Sequence, residues 1–204
     1  MNKSWTSQTD GATALRRINV VGTTGSGKTT LARTLAARFH LAHVELDALF
    51  WEPNWTEAAP DVFRARTIAA LDAADQAHGG WAVDGNYSRV QPLVWARADT
   101  VVWLDYALPV ILRQLLARTL RRTITQQELW SGNRENFANA FLSRDSILVW
   151  ALKTYRAKRR DYPRRLAAPE NAHLTVIRLR SPRQTRRWLE TLPAERNFSG
   201  LGRS

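Results

Sequence analysis

The sequence predicts an α/β domain in which helices cover both faces of a parallel sheet. Three observations carry that expectation. Five short apolar runs alternate with longer segments of helical period. The first run ends in a glycine-rich turn that opens directly into a helix. Hydrophobic residues make up 44% of the 204, enough for a core in a chain of single-domain length.

Each element follows in order. Residues 1–14 are polar, contain Gly11 and keep no period, so they read as a flexible tail. Ile18–Val21 is the first strand. Lys28–Phe39 spaces Leu31, Leu35 and Phe39 by four, with Ala32 and Ala36 beside them, which is one helix face. Ala42–Leu46 is the second strand. Ala59–Ala77 is a helix with Val62, Ile68 and Leu71 inward. Trp81–Asp84 is the third strand, stopped by Gly85-Asn86, and Thr100–Asp105 is the fourth. Helices Pro109–Arg122 and Ile147–Arg165 precede a fifth strand, Leu174–Leu179, and a last helix, Pro182–Thr191. Residues 195–204 hold Gly200 and Gly202 and read as a second tail, which leaves one domain over 15–194. Strands that are continuous apolar runs are buried on both faces, so the expected architecture is a three-layer sandwich.

Composition narrows the function classes. The chain has no cysteine, which excludes a disulfide framework, a thiolate nucleophile and Cys-ligated zinc. Its longest apolar runs, such as Val101–Leu104, fall far short of a bilayer span, and the start of the chain lacks the apolar stretch of a signal peptide. The expectation is a cytoplasmic protein with no membrane partner. A formal net charge of +12 and a pI near 11.2 favour an anionic partner, whether nucleic acid, a membrane surface or nucleotide phosphates.

The sharpest motif is Gly22-Thr23-Thr24-Gly25-Ser26-Gly27-Lys28-Thr29, followed by Thr30. It matches the phosphate-binding loop G-x-x-x-x-G-K-[ST], with a strand before it and a helix after it. Glycines let the backbone wrap a phosphate without Cβ clashes. Successive N–H groups and the helix dipole then form an anion nest. Lys28 reaches the β- and γ-phosphates, and the Thr29 hydroxyl is the expected Mg²⁺ ligand.

Such a loop does not decide the fate of the γ-phosphate. The chain carries neither the N-K-x-D segment of guanine-reading GTPases nor an LSGGQ-type transporter signature. The third strand ends Val83-Asp84-Gly85, with no glutamate after the aspartate to activate water. That arrangement suits transfer to a bound acceptor more than hydrolysis. Charge placement points the same way. Residues 107–165 carry nine of the twelve net positive charges. Arg118 and Arg122 share one helix face with Arg121 beside them, and Arg156 and Arg160 repeat the spacing. Guanidinium forks fit phosphate oxygens. Two such helices flanking the polar segment Thr123–Asn139 read as a lid that excludes water on closing. A solvated basic face, open to nucleic acid, is the competing reading.

Three segments together resemble a known family: Gly22–Thr30, Trp81–Arg89 and Arg118–Arg122 are similar to the adenylate kinase-like P-loop kinases. Glu45–Trp51, Asp84–Ser88 and Leu129–Glu135 look closest to the bacterial DNA topology modulation (FlaR-related) group. The resemblance implies strand order 2-3-1-4-5, a small helical lid over about 119–145, and Mg²⁺ and ATP as cofactors. It implies Asp84 beside the metal, Arg118 and Arg122 at the base of the lid, and Arg180 near adenine. Arg89 is offset by one residue from the family's acceptor-phosphate arginine, because Asn86-Tyr87-Ser88 replaces Phe-Pro. Asn86 and Arg89 are therefore acceptor-side candidates.

The family's usual acceptor-nucleotide segment is not visible, and Glu45-Leu46-Asp47 with Trp51 and Trp55 stands in its place. Asp47 follows the second strand at the edge where open α/β sheets bind ligands. It can orient an acceptor hydroxyl or take its proton, or it can cap a turn. Trp51 and Trp55 either stack an acceptor ring or pack inward. Arg64 and Arg66 follow on the next helix, and one of them, Arg64, is the candidate to meet an acceptor anion. No histidine has metal-site spacing, and His43 and His173 read as packed residues. The reading is an ATP-dependent phosphotransferase for a nucleotide or other small acceptor. The alternative is an ATP-switched nucleic-acid-binding protein.

Overall fold

The computed structural model describes residues 15–125, 128–133 and 147–193. The predicted tails, 1–14 and 195–204, lie outside the described residues, as do 126–127 and 134–145 of the predicted lid.

Five strands form one parallel sheet: β1 (Arg17–Gly22), β2 (Ala42–Glu45), β3 (Trp81–Asp84), β4 (Thr100–Leu104) and β5 (Thr175–Leu179). Their order is 2-3-1-4-5, as expected. The helices are α1 (Lys28–Phe39), α2 (Leu46–Phe50), α3 (Pro60–His78), α4 (Gln91–Arg97), α5 (Leu108–Ile124), α6 (Ile147–Leu166) and α7 (Pro182–Thr191).

The two-residue period of the strands sorts the core into two halves. Ile18, Val20, Val102, Leu104, Ile177 and Leu179 face Leu31 and Leu35 of α1, Ile111 of α5 and Trp188 of α7. Val21, Val83, Val101, Trp103 and Val176 face Phe63 and Leu71 of α3, Trp95 of α4 and Tyr162 and Leu166 of α6. Each large side chain buried this way contributes about 1.5–3 kcal/mol. One buried polar residue interrupts the second half. Asn19 donates to the Val83 carbonyl at 3.2 Å and accepts from Trp95 Nε1 at 2.9 Å, which ties β1 to β3 and α4.

The structure corrects the phase of α3. Val62 points outward and is 37% exposed, while Phe63, Thr67, Leu71 and Ala74 are buried. Val62 and Phe63 are adjacent, so either begins a plausible stripe, and the larger ring takes the core. Elements too short to show a period were not anticipated. These are α2, α4 and a two-stranded antiparallel ribbon, Trp51–Glu52 with Thr56–Glu57, turned by Pro53–Trp55.

The chain beyond α5 returns over that ribbon. Asn133 donates to the Glu52 carbonyl and accepts from the Trp55 N–H, each at 2.9 Å. Ser131 Oγ donates to the Trp51 carbonyl at 2.7 Å, and the Trp130 ring lies 6.4 Å from that of Trp55. Among the described residues no helix is long and apolar enough to cross a membrane.

Candidate active site

The loop Gly22–Thr30 joins β1 to α1 at the carboxyl edge of the sheet. Ser26 N–H donates to the Thr23 carbonyl at 3.1 Å, and Lys28 Nζ donates to the same oxygen at 3.3 Å. At Gly25, φ is 86°, and a Cβ would come within 2.9 Å of Leu115 Cβ and 3.1 Å of the Ile111 carbonyl. Glycine there lets α5 pack directly on the loop. Helix α1 starts at Lys28 with no side-chain cap and no acidic residue in its first turn. Its first N–H groups are thus left for an outside anion.

Opposite charges converge on Lys28. Burial pulls its ammonium below the ordinary lysine range, the Asp47 and Asp84 carboxylates oppose that pull, and the Arg118 guanidinium adds to it. Strand alternation puts Asp84, the last residue of β3, on the α1 face, where it is 2% exposed. Its Oδ2 lies 3.5 Å from His43 Nε2. Thr29 is half-buried in the first turn of α1, Thr30 is exposed, and Arg122 is half-buried one turn beyond Arg118.

A second lysine joins this group without having been anticipated. Lys158 of α6 is pushed down to about 7 by burial and by the Lys28 charge, with Asp47 opposing. Its signal was present in the sequence. Tyr155, Lys158, Tyr162 and Leu166 follow at three- and four-residue steps, so Lys158 occupies the inward stripe. Arg156 and Arg160, expected by spacing to reach the phosphates, are exposed, with Arg160 paired to Asp161 at 3.2 Å. Arg159 instead joins Arg178 in gripping Asp105, at 2.8 and 2.6 Å.

On the other side of Lys28, Asp47 sits in α2 and is held by one strong hydrogen bond. Tyr87 Oη donates to its Oδ1 at 2.5 Å. Burial and the Asp47 charge raise the Tyr87 phenol far above its usual range, so it stays a donor, and the Trp51 side chain hydrogen-bonds it in turn. Phe50 and Phe63 pack the Tyr87 ring at 4.5 and 5.0 Å. Glu45, at the end of β2, is raised by burial and by Asp84, with Trp130 and Arg33 opposing. Trp51 itself is half-buried, edge-on to Phe50 and Trp55.

The remaining candidates lie further out or are already engaged. Asn86, an acceptor-side candidate, is engaged within the fold. Its Nδ2 donates to the Gly22 carbonyl, and its Oδ1 accepts from Gly22 N–H at 3.2 Å and Tyr162 Oη at 2.9 Å. An amide whose donor and acceptor pair with the C=O and N–H of one residue is a clamp on the loop. Arg89 is exposed and lies 3.6 Å from Glu57. Arg64 is exposed on α3, while Arg66 pairs with Glu52 at 3.0 Å. Arg180 is exposed, its N–H donating to Gln184 Oε1 at 2.7 Å. His173 is exposed rather than packed, though its Nε2 lies 3.1 Å from the Trp95 carbonyl.

The donor set fits a polyphosphate. An uncapped helix N-terminus, Lys28, Arg118 and Lys158 supply positive charge around one loop, and Asp84 stands beside them. Among the described residues no three His, Asp or Glu side chains form a metal cage. A divalent ion here would share hydroxyl, carboxylate and phosphate oxygens, the ligands Mg²⁺ takes in such sites.

No family model matches the chain. It is similar to the shikimate kinase of Synechococcus elongatus, 28% identical over 155 residues, or 64% of this chain and 78% of that one. A shikimate kinase from another Synechococcus strain is 31% identical over 120 residues, 54% of this chain and 60% of that one. Among solved structures, an unliganded sugar kinase from Janibacter is 19% identical with a TM-score of 0.48, over 87% of this chain and 95% of that one. The shikimate kinase of Acinetobacter baumannii in complex with shikimate is 17% identical, with a TM-score of 0.48 over 86% and 90%. A gluconokinase from Sinorhizobium meliloti is 15% identical, with a TM-score of 0.47 over 86% and 92%. The strand order and the phosphate loop make the architecture a P-loop NTPase-type three-layer sandwich with a five-stranded parallel sheet.

Proposed function

We propose that this protein is an ATP-dependent phosphotransferase whose acceptor is a small molecule bearing a hydroxyl group. The observation that carries the reading is the convergence on Lys28 of two carboxylates, Asp47 and Asp84, and a guanidinium, Arg118, from separate elements. Mg-ATP, when bound, supplies the phosphoryl group. Gly22 to Thr30 cradle its phosphates, and Arg180 lies on the side where the resemblance places adenine. Lys28, Arg118 and Arg122 neutralise charge on the phosphoryl oxygens. Thr29 and Asp84 hold the metal. Asp47, fixed by Tyr87, turns its free oxygen to the acceptor hydroxyl, orients it and takes its proton. Trp51 walls that side, and Arg64 and Arg89 stand at its rim. The shikimate kinase similarity supports a small hydroxylated metabolite over a nucleotide. The likeness of Glu45–Trp51 to the DNA topology modulation group supports a shared acceptor-side architecture. The exposed stripe of Arg156, Arg160 and Arg164 favours a second reading, an additional nucleic-acid contact.

The test is ATP consumption screened against hydroxy acids (shikimate among them), sugars, sugar acids, nucleosides and nucleoside monophosphates. One acceptor class should stimulate turnover. Lys28→Ala should abolish it, and Asp47→Ala should lower kcat by roughly 100-fold or more while leaving ATP affinity within about threefold. Absence of any stimulating acceptor, together with tight salt-dependent DNA binding, would overturn the reading. Intact turnover in Asp47→Ala would remove Asp47 from its role.

A further inference from the structure

The segment Glu45–Glu57 runs against the charge of the chain. In a sequence of net charge +12, its thirteen residues hold four carboxylates, Glu45, Asp47, Glu52 and Glu57, and no Lys, Arg or His. An aromatic wall runs outward from Asp47. Tyr87 Oη donates to Asp47 Oδ1 at 2.5 Å, and the Phe50 ring lies 4.5 Å from that of Tyr87. Trp51 follows at 4.9 Å from Phe50, Trp55 at 5.5 Å from Trp51 and Trp130 at 6.4 Å from Trp55. The outer rings do not belong to the core: Trp51 and Trp130 are half-buried, and Trp55 is 37% exposed. Trp55 also stands at φ 56°, left-handed backbone in which a bulky side chain is uncommon. Asn133 holds it there through the Trp55 N–H and the Glu52 carbonyl, each at 2.9 Å.

The charges along this wall are matched one by one. Glu45 meets Arg33 at 3.3 Å, Glu52 meets Arg66 at 3.0 Å, and Glu57 lies 3.6 Å from Arg89. Asp47 accepts from a neutral phenol and forms no ion pair within 4.0 Å among the described residues. Arg64, the other arginine of α3, is exposed. Each arginine that reaches the segment is thus paired, and one carboxylate is not.

We propose that the acceptor is a hydroxylated ring without negative charge, bound with one face on Trp51 and Trp55, and that an amine on the ring strengthens its binding. This rests on the phosphotransferase reading above. The C–H face of such a ring packs on indole, and its hydroxyls donate to carboxylates. An ammonium adds attraction to Asp47 and to the indole faces. A carboxylate or phosphate on the acceptor meets only arginines that are already engaged, and must break a pair to gain a partner. Sugars, cyclitols and their amino derivatives fit this wall, whereas hydroxy acids and nucleoside monophosphates do not.

The experiment compares acceptors matched in their ring and different in charge. ATP consumption by the full chain is measured with glucosamine, glucose and glucuronate, and with adenosine, AMP and shikimate. The expected kcat/KM falls from glucosamine to glucose to glucuronate, by roughly threefold to tenfold for each unit of charge. An acid as the best acceptor overturns the proposal and leaves the phosphotransferase reading standing. Stimulation by none of the six also overturns it, and a chain that in addition fails to bind ATP overturns both readings. Two variants test the wall itself. Glu52→Gln with Glu57→Gln releases Arg66 and Arg89, and should raise kcat/KM for glucuronate relative to glucose by roughly threefold to tenfold. Trp55→Gly removes the ring and suits the left-handed backbone; KM for the best acceptor should rise roughly threefold to tenfold, with kcat and ATP affinity within about twofold. An unchanged KM in Trp55→Gly, or an unchanged glucuronate-to-glucose ratio in the double variant, overturns the proposal.

Discussion

Asp105 offers a quantitative test of how α6 is held. Its side chain is 1% exposed and accepts from two arginines. Arg178 of β5 contributes Nη2 at 2.6 Å and Nε at 3.0 Å, and its guanidinium lies 4.3 Å above the Trp103 ring. Arg159 of α6 contributes Nε at 2.8 Å. The two partners differ in exposure, 18% for Arg178 and 43% for Arg159. Asp105→Asn keeps the shape but removes the charge, which leaves the Arg178 cation largely desolvated without its counter-ion. Breaking a buried pair from one side costs about 3–5 kcal/mol, and the partial exposure of both arginines places the expected loss near 3 kcal/mol. In a chain of this size that corresponds to a Tm lower by roughly 6–12 °C. Arg159→Met should cost only about 1 kcal/mol, because the arginine lost is half exposed and Asp105 keeps its pair with Arg178. Arg178→Met should cost clearly more, since it leaves Asp105 buried beside a weaker partner. Urea and thermal unfolding of the three variants, with the Asp105→Asn/Arg178→Met double mutant, give the coupling directly. A Tm loss below about 2 °C for Asp105→Asn, or equal losses for the two arginine variants, would refute the reasoning.

Two further outcomes follow from local geometry and charge. Gly80 has φ of 156°, and a Cβ there would lie 2.1 Å from the Arg16 carbonyl, so Gly80→Ala must push β1 from its start; a loss of about 3 kcal/mol or more is expected in denaturant unfolding. Lys158 carries a pH signature because its folded-state value of about 7 lies below the ordinary 10.5. Between those values the unfolded chain binds the extra proton, so this group makes stability rise with pH across that window. Lys158→Met removes that dependence and should be more stable than the wild type below pH 7, by at most ~5 kcal/mol, with the gap closing toward pH 10.5. Unfolding curves at pH 6, 8 and 10 read this directly, and a constant gap would contradict it.

Much of the site was legible because its pattern is local. Gly22–Thr29 is contiguous, and each of its parts acts through backbone next to it in sequence. Arg118 is a candidate in the sequence through its i, i+4 partner. Asp84 ends a strand and Asp47 follows one by two residues, and strand ends of a parallel sheet meet at one edge, which is what makes both candidates in the sequence. The surroundings of Tyr87 and Lys158 are not legible, for the opposite reason: each meets groups 40 or more residues away, Asp47 for one and Lys28 for the other. Asn86 shows the same limit from the other direction. Its position beside Asp84 suggested a ligand contact, but Gly22 and Tyr162 had already taken up its amide.

Taken by itself, the order of apolar runs determined the five-stranded sheet and its helices, since burial on both faces needs only the strand and helix periods. It also determined the phosphate loop, because a glycine-rich anion nest is a property of consecutive residues. Only the tertiary structure decided which residues of the basic helix turn inward. In the basic run of α6 the inward Lys158 lies two positions from each of the exposed Arg156 and Arg160. Which of them turns inward is set by the phase of α6, and that phase is locked by Arg159 on Asp105 and Tyr162 on Asn86. Those contacts cross more than 50 residues of chain, and no local pattern encodes them.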